Sequence, residues 1–540
     1  MTVHRLARLS LISILVALLL SAPIWVMLGQ IFVDTRSIWQ HLWQTVLLDY
    51  VTNSLLLMFG VGVGVLLLGV STAWLTSCCE FPFRRSLTLL LLLPMAMPAY
   101  IIAYTYTGLL DFAGPVQSWI RAVTGLAYGQ YWFPPIRSLT GAMLMLALVL
   151  YPYVYLLARA AFLAQSSTLL DVSRTLGLSA WQSFYRVTLP MARPAIIAGL
   201  SLALMETLAD YGTVQFFGVA TFTTGIFRTF YGFGDAAAAA QLSMLLLSFV
   251  VILVALEKYS RRRIGYYAAA NHRPVQRRIP IHGWRALLVI GVCFGPALLG
   301  FILPAALLLT WSLSSAQWFD TAFLTLIWHS FSLAAAAALI SVSLAFVLAY
   351  AARLEKNRAT QWAVQVTALG YAMPGTIIAI GVIISLSGLD HHLVPHLDAL
   401  FAVDLGLLFS GSLFALLFAY TIRFLAVSLG SVQSGLLAIK PSLDASARLL
   451  GRTPLQVLTS IHVPLLRGSA LTALLIVFVD VLKELPGTLI LRPFNFNTLA
   501  VRAYELASDE RLIDAAPASL MIVLVGLLPV YFLNRSINRS

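Results

Sequence analysis

Charge is what this 540-residue chain has least of. Only 10% of its residues are Asp, Glu, Lys or Arg, against about 25% in a soluble globular protein. So few charges cannot clothe a water-facing surface of this size, which excludes the soluble enzyme and the soluble binding module. Lysine is scarcer still: it stands only at 258, 356, 440 and 483, never after glycine. A phosphate-cradling Gly-x-x-x-x-Gly-Lys-Ser/Thr loop therefore cannot be built, and the chain does not hydrolyse ATP through one. Cysteine is limited to Cys78, Cys79 and Cys293. Two adjacent thiols at a helix end and one inside an apolar run indicate neither a disulfide framework nor a zinc site. Histidine gathers once, in Asp390-His391-His392-Leu393-Val394-Pro395-His396-Leu397-Asp398. Pro395 falls between His392 and His396, so a solvated outer loop titrating near neutral pH is a better reading than a metal site.

What the chain has in excess is apolar sequence: 60% hydrophobic residues and a mean hydropathy of +0.90. Runs long enough to cross about 30 Å of hydrocarbon fall near 9–32, 53–75, 87–110, 139–163, 194–213, 236–256, 286–312, 331–350, 363–386, 406–428, 469–485 and 515–533. The expected fold is an all-α polytopic membrane protein of about twelve transmembrane helices, six per half. The halves are 1–256 and 286–540, joined by a basic linker at 257–285. The first run follows a basic start, but about 24 apolar residues exceed a signal-peptide core, and it reads as a retained helix. Lys and Arg concentrate in alternate loops, which puts both termini in the cytoplasm. The net charge of +13 then needs no nucleic acid: the arginines of 261–285 form a cytoplasmic linker beside anionic headgroups.

The halves are copies of one unit. Asp171-Val172-Ser173-Arg174-Thr175-Leu176-Gly177 is followed after nine residues by Val187-Thr188-Leu189-Pro190. Ala445-Ser446-Ala447-Arg448-Leu449-Leu450-Gly451 is followed after nine residues by Ile461-His462-Val463-Pro464. Gly177 and Gly451 are 274 positions apart, as are Pro190 and Pro464. Arg174 and Arg193 recur as Arg448 and Arg467, and Glu206 and Asp210 as Asp480 and Glu484. Ala96-Met97-Pro98-Ala99 recurs as Ala372-Met373-Pro374-Gly375. Such a long period denotes two homologous halves facing each other rather than a solenoid.

Each repeated loop (165–193 and 430–467) lies on the basic side between the fourth and fifth spans of its half. Val172, Ser173, Ala445, Ser446 and Ala447 leave a smooth helix face for another surface. Gly177 and Gly451 suit a left-handed turn that ends the helix. Pro190 and Pro464 are expected to stop the next helix and set the re-entry into the membrane. A plain cytoplasmic loop also needs small and turn residues. Recurrence at one spacing favours a partner-docking role, and a pair of such loops suits a dimeric partner.

In these residues the chain resembles the fused membrane permease subunits of binding-protein-dependent, ATP-driven importers, over essentially its whole length. The loop is similar to that family's coupling motif: Glu-Ala-Ala, three residues, Gly, nine residues, Ile-x-Leu-Pro. The resemblance implies the fold of a type I importer permease. It also implies a separate dimeric ATPase subunit that carries ATP and Mg and docks on the loops, and a periplasmic binding protein that delivers substrate. The chain itself would bind no cofactor and perform no covalent chemistry in the bacterial inner membrane. Asp171 holds the Glu position of the first copy. The second copy departs, with Ala445 there and Asp444 one residue earlier, and with Val463 in place of Leu.

Glu206 and Asp210 share a helix face, as do Asp480 and Glu484. Carboxylates at membrane depth are costly and face a polar cavity or a partner. The repeat brings both pairs towards a common axis, as a polar translocation path. The alternative is that they cap helix ends or pair with Lys483 and Arg228. Pro98 and Pro374 interrupt matched spans, which marks either the same path or a packing kink. Ala209-Asp210-Tyr211-Gly212-Thr213-Val214, Thr221 to Ile226, Tyr231-Gly232 and Lys483-Glu484-Leu485-Pro486-Gly487-Thr488 most resemble the ferric-iron members of the family. Thiamine and polyamine permeases remain alternatives, since carboxylates also suit organic cations. An ion-coupled secondary transporter is the alternative from another class, although it has no need of two matched docking loops.

Overall fold

A computed structural model describes residues 2–127, 129–165, 175, 177, 179–261, 278–355, 357–401 and 405–539. Twelve principal helices organise the first half as α1 (Thr2–Gln30), α2 (Leu47–Cys78), α3 (Ala99–Leu110), α4 (Leu139–Ala164), α5 (Phe184–Ala209) and α6 (Ala236–Arg261). The second half follows as α7 (Trp284–Ser314), α8 (Thr321–Leu354), α9 (Gly375–Phe401), α10 (Leu413–Ala438), α11 (Arg467–Leu482) and α12 (Leu512–Arg539). Among the described residues, ten helices are long and apolar enough to span a bilayer by themselves. Two bent pairs, Arg84–Ala96 with Ala99–Thr124 (95°) and Pro454–Leu465 with Arg467–Leu482 (76°), raise the number to as many as twelve.

The third spans expected at 87–110 and 363–386 are not single helices. Each breaks at its matched proline: a 3-10 turn (Leu93–Ala96 or Leu369–Ala372) ends in extended Met97 or Met373, and the next helix starts beyond Pro98 or Pro374. The residue before a proline is pushed out of the α region, while the proline ring sits without cost at a helix start. The restarted α9 runs on to Phe401, so Asp390 to Asp398 is helical and not a loop. Asp390 is consumed as an acceptor for the backbone N–H of Phe409 (3.0 Å) and Ser410 (2.8 Å). Among the described residues no three His, Cys, Asp or Glu side chains converge on a metal position.

The prolines of the docking loops differ: Pro190 does not stop its helix as expected, whereas the helix carrying Pro464 ends one residue later, at Leu465. Pro190 lies within α5, two residues after a π-helical turn at Phe184–Thr188. The same turn precedes Pro464 (Leu458–His462) and Pro304 (Leu298–Ile302). A proline has no N–H to give and crowds the carbonyl four residues back; widening that turn relieves both. Only after Pro464 does the chain bend sharply, at Leu466.

Within each half the second, fourth and fifth helices form a tight bundle: α2, α4 and α5, then α8, α10 and α11. Small buried residues such as Ala337, Ala338 and Ala345 on α8 let the backbones approach. The repeat extends to single hydrogen bonds. Ser54 accepts from the backbone N of Phe222 (3.3 Å), and Ser330 accepts from that of Leu499 (2.7 Å).

The first helix of each half crosses over. α1 packs on α8, α9 and the Arg358–Ala368 helix of the second half. Conversely, α7 packs against α2, α3 and the Arg84–Leu90 helix of the first. Both hydrophobic cores therefore mix the halves: one joins Met27, Leu208 and Ile226 to second-half residues, the other joins Cys293 and Ala515 to first-half ones. The far end of the linker is fixed as well. Cys79–Glu80 (β1) pairs in parallel with Ile279–Pro280 (β2), and Glu80 bridges Arg84 (3.3 Å) and Arg278 (3.2 Å). Cys78, Cys79 and Cys293 are free and buried.

Candidate functional site

Two regions carry the candidate residues: a central cavity and the repeated loops. The cavity, about 140 Å³, lies where the two halves meet. Glu206, Asp210, Asp480 and Glu484 all line it, with Pro98 from the first break; Pro374 lines a smaller pocket that shares Glu206 and Arg423. Two cations that join them are Lys483 and Arg423. An arginine within an apolar span is itself a pointer to a polar interior. Arg423 carried that signal and was passed over in the sequence reading.

The four carboxylates are not equivalent. The outer member of each pair caps the short helix beyond it. Asp210 accepts from the Thr213 hydroxyl (3.0 Å) and the Val214 backbone N (3.1 Å), and Glu484 accepts from the Gly487 backbone N (3.2 Å). Helix N-termini favour such anions. In the second half both carboxylates are also neutralised: Arg423 Nη1 is 3.1 Å from Glu484 Oε1, and Lys483 Nζ is 2.8 Å from Asp480 Oδ1. Pairing with Lys483 was one expected alternative; Arg228, the other expected partner, sits instead beside Tyr50. Glu206 has no ion-pair or hydrogen-bond partner among the described residues.

One sequence difference between the halves follows from these pairs. The 274-residue repeat sets Val149 opposite Arg423 and Ala209 opposite Lys483, so both cations are second-half additions. At the start of α9, Gly375 replaces the Ala99 that begins α3. A methyl group at 375 would collide with both Arg423 Nη1 and Glu484 Oε1. The pair occupies the space that glycine leaves.

In the repeated loops, Asp171, Val172 and Ser173 lie outside the described residues. Gly177 and Gly451 both adopt the left-handed conformation, with φ of +77° and +75°. In the second copy the helix is Pro441–Leu449, and Arg452 N donates to Ala447 O (3.1 Å), closing a Schellman turn around Gly451. Ala445 and Ser446 face outward, while Ala447 is buried. Pro190, Val463 and Pro464 are exposed and Leu189 is half-buried. Leu449 and Leu450 are more than four-fifths exposed, beside exposed Leu455 and Leu465. Exposed large apolar side chains of this kind are candidates for contact with another surface. Each glycine is followed by a capping box that the sequence reading missed: Ser179 with Gln182, and Thr453 with Gln456. The readable signal was Ser/Thr-x-x-Gln at the 274-residue spacing.

Asp444, expected on the docking face, points inward. It lies 2.7 Å from Arg353 Nε and 2.7 Å from His462 Nε2, and it is 7% exposed. Arg353 also donates to the carbonyls of Ile439 (2.9 Å) and Leu436, and Tyr350 donates to that of Pro454 (2.9 Å). The second loop is thus tied to the end of α8. At the matching first-half positions stand Leu170 and Thr188, so this tie belongs to the second half alone. Asp444→Ala strands Arg353 and His462, at about 3–5 kcal/mol for a broken buried pair. The expected result is faster backbone hydrogen exchange across Pro441–Leu449, with exchange around Gly177 unchanged.

Comparison with known proteins agrees with this geometry. The family model described as "Binding-protein-dependent transport system inner membrane component" matches residues 65–266, which include the first loop, Glu206 and Asp210. The Fe(3+)-transport system permease protein FbpB 2 of Haemophilus influenzae is 26% identical over 536 residues, 98% of each chain. The molybdenum transport system permease protein ModB of Escherichia coli is 26% identical over 41% of this chain and 96% of its own length. The sulfate transport system permease protein CysT of Escherichia coli is 26% identical over 37% of this chain and 72% of its own.

Proposed function

We propose that this chain, a permease subunit of binding-protein-dependent ATP-driven transport and not itself an enzyme, passes ferric iron across the bacterial inner membrane. The carrying observation is the central cavity, whose four carboxylates outnumber its two cations and leave a formal charge of −2. A hard trivalent cation seeks oxygen ligands. The relative similar over 98% of both chains is by name an Fe(3+) permease. Arg423 and Lys483 would be the groups to receive an oxyanion such as the cargo of the molybdenum and sulfate relatives, but both are held in ion pairs.

In this reading a periplasmic binding protein loads the cavity from outside. Two ATPase subunits, which carry the ATP and Mg, dock on the loops at 165–193 and 430–467. The halves, 1–256 and 286–540, joined by the linker at 257–285, alternate between outward and inward access. Both termini face the cytoplasm. Supporting it are the glycine turns and capping boxes, which recur in both loops as a two-fold partner would require, and the exposed leucines around Gly451. Glu206, Asp210, Asp480, Glu484, Pro98 and Pro374 line the route.

The test is uptake of radiolabelled ferric iron into vesicles carrying the chain, its ATPase and its iron-loaded binding protein. ATP-dependent accumulation is the expected result. Entry of molybdate, sulfate, thiamine or a polyamine in place of iron would replace the substrate, and uptake on an ion gradient without the ATPase would replace the class.

A further inference from the structure

The cavity is built from two copies of one sequence, yet its charges are distributed unevenly. The second-half carboxylates are satisfied by side chains of their own half: Asp480 by Lys483 and Glu484 by Arg423. The first half has Ala209 and Val149 at those two positions. Its Asp210 is occupied in capping the helix Gly212–Phe216. Glu206 is left facing the cavity without an ion-pair or hydrogen-bond partner among the described residues, reached only at longer range by the charges of Arg423 and Lys483. A second group is unsatisfied in the lining of the same cavity. Tyr100, from the turn of α3 that follows the Pro98 break, lines the cavity; it is 6% exposed, and its buried hydroxyl has no hydrogen-bond partner. A buried polar group without a partner is uncommon and costly, and this one belongs to the lining of the cavity that Glu206 also lines.

We propose that the cargo is met on one side only: the Glu206 carboxylate and the Tyr100 hydroxyl are its ligands in the cavity, and Arg423 and Lys483 are resident counter-ions that keep the second-half carboxylates from holding it. This rests on the cavity being the route of a cationic cargo. Oxygen donors of carboxylate and phenol type suit a hard cation. The asymmetry also solves a difficulty of transport. A path must bind strongly enough for entry and weakly enough for release. Four free carboxylates around a trivalent ion would form a trap, and two internal ion pairs remove half of them without an external ligand.

The experiment measures initial rates of ferric-iron uptake, from its loaded binding protein, by the reconstituted permease–ATPase complex. Glu206→Gln is compared with the double variant D480N/K483M, which deletes an ion pair and leaves the net charge of the cavity unchanged. Glu206→Gln is expected to raise KM about tenfold, the effect of one lost close charge at partly screened strength, and Glu206→Asp to restore most of it. Tyr100→Phe is expected to raise KM with kcat held. D480N/K483M is expected to raise KM by less than Glu206→Gln does, since Lys483 already holds the carboxylate it removes. Equal losses in Glu206→Gln and the double variant would overturn the one-sided site, as would an unchanged KM in Glu206→Gln. ATPase activity stimulated by the loaded binding protein shows that each variant is assembled. Should Glu206→Gln fail to assemble, Tyr100→Phe decides: an unmoved KM there overturns the proposal. An unmodified complex that takes up no iron would sink the ferric reading itself, which is a different result from iron uptake indifferent to Glu206.

Discussion

Replacing Gly177 and Gly451 together by valine is expected to cut ATP-driven uptake by more than about tenfold while the protein still inserts in the membrane. Both residues sit at positive φ, and a Cβ at either would meet nothing within 4 Å. The penalty is therefore one of backbone conformation, about 1–2 kcal/mol for an ordinary side chain in this region and more for a β-branched one. Two such sites amount to about 2–4 kcal/mol, which is relieved by giving up the turn. The helix before Gly451 then loses its fixed angle to the capping box after it, and the exposed leucines there are displaced. Asparagine tolerates the left-handed region, so the double asparagine variant should transport close to normally. Uptake and ATPase stimulation, measured side by side, check this. Equal damage from valine and asparagine would show that side-chain contact, not turn geometry, matters at these sites.

Arg423→Leu should be the most damaging single change to the cavity's stability. Arg423 and Glu484 have side-chain exposures of 12% and 6%. Truncating one partner strands the other, at about 3–5 kcal/mol. Replacing both, as R423L/E484L, removes the stranded charge and should recover most of the loss, since apolar groups of similar volume often substitute for a buried pair. Thermal unfolding of the detergent-solubilised complex measures both variants. A double variant no more stable than Arg423→Leu would mean that Glu484 acts chiefly through the N–H of Gly487 rather than through the arginine.

The repeat was legible because glycine and proline mark backbone geometry, and that geometry recurred at a constant spacing. The four carboxylates stood out because charge is expensive at membrane depth. Their inequality was not legible. Arg423 meets Glu484 across 61 residues of sequence, and a contact between two helices leaves no periodic trace in either. Asp444 misled for a related reason. Beside a docking motif it resembles a displaced acidic surface residue, and only the folded chain brings Arg353, from 91 residues upstream, against it. The breaks at Pro98 and Pro374 were half visible: the prolines were evident, but apolar residues continue on both sides, and hydropathy alone cannot tell a kink from a new helix. The histidine segment at 390–398 was misread through Pro395, which the helix accommodates.

The crossing of the first helices sets a timetable for assembly. α1 is made first, yet its packing partners include the helix Arg358–Ala368, about 330 residues later; at roughly 5–20 residues per second it waits roughly 15–65 s in the bilayer for that neighbour. During that interval the nascent first half has lipid where α8 and α9 will be. Neither core can close until the ribosome is well into the second half, so the fusion of the two halves in one polypeptide guarantees that every α1 finds its partner in cis and in equal number.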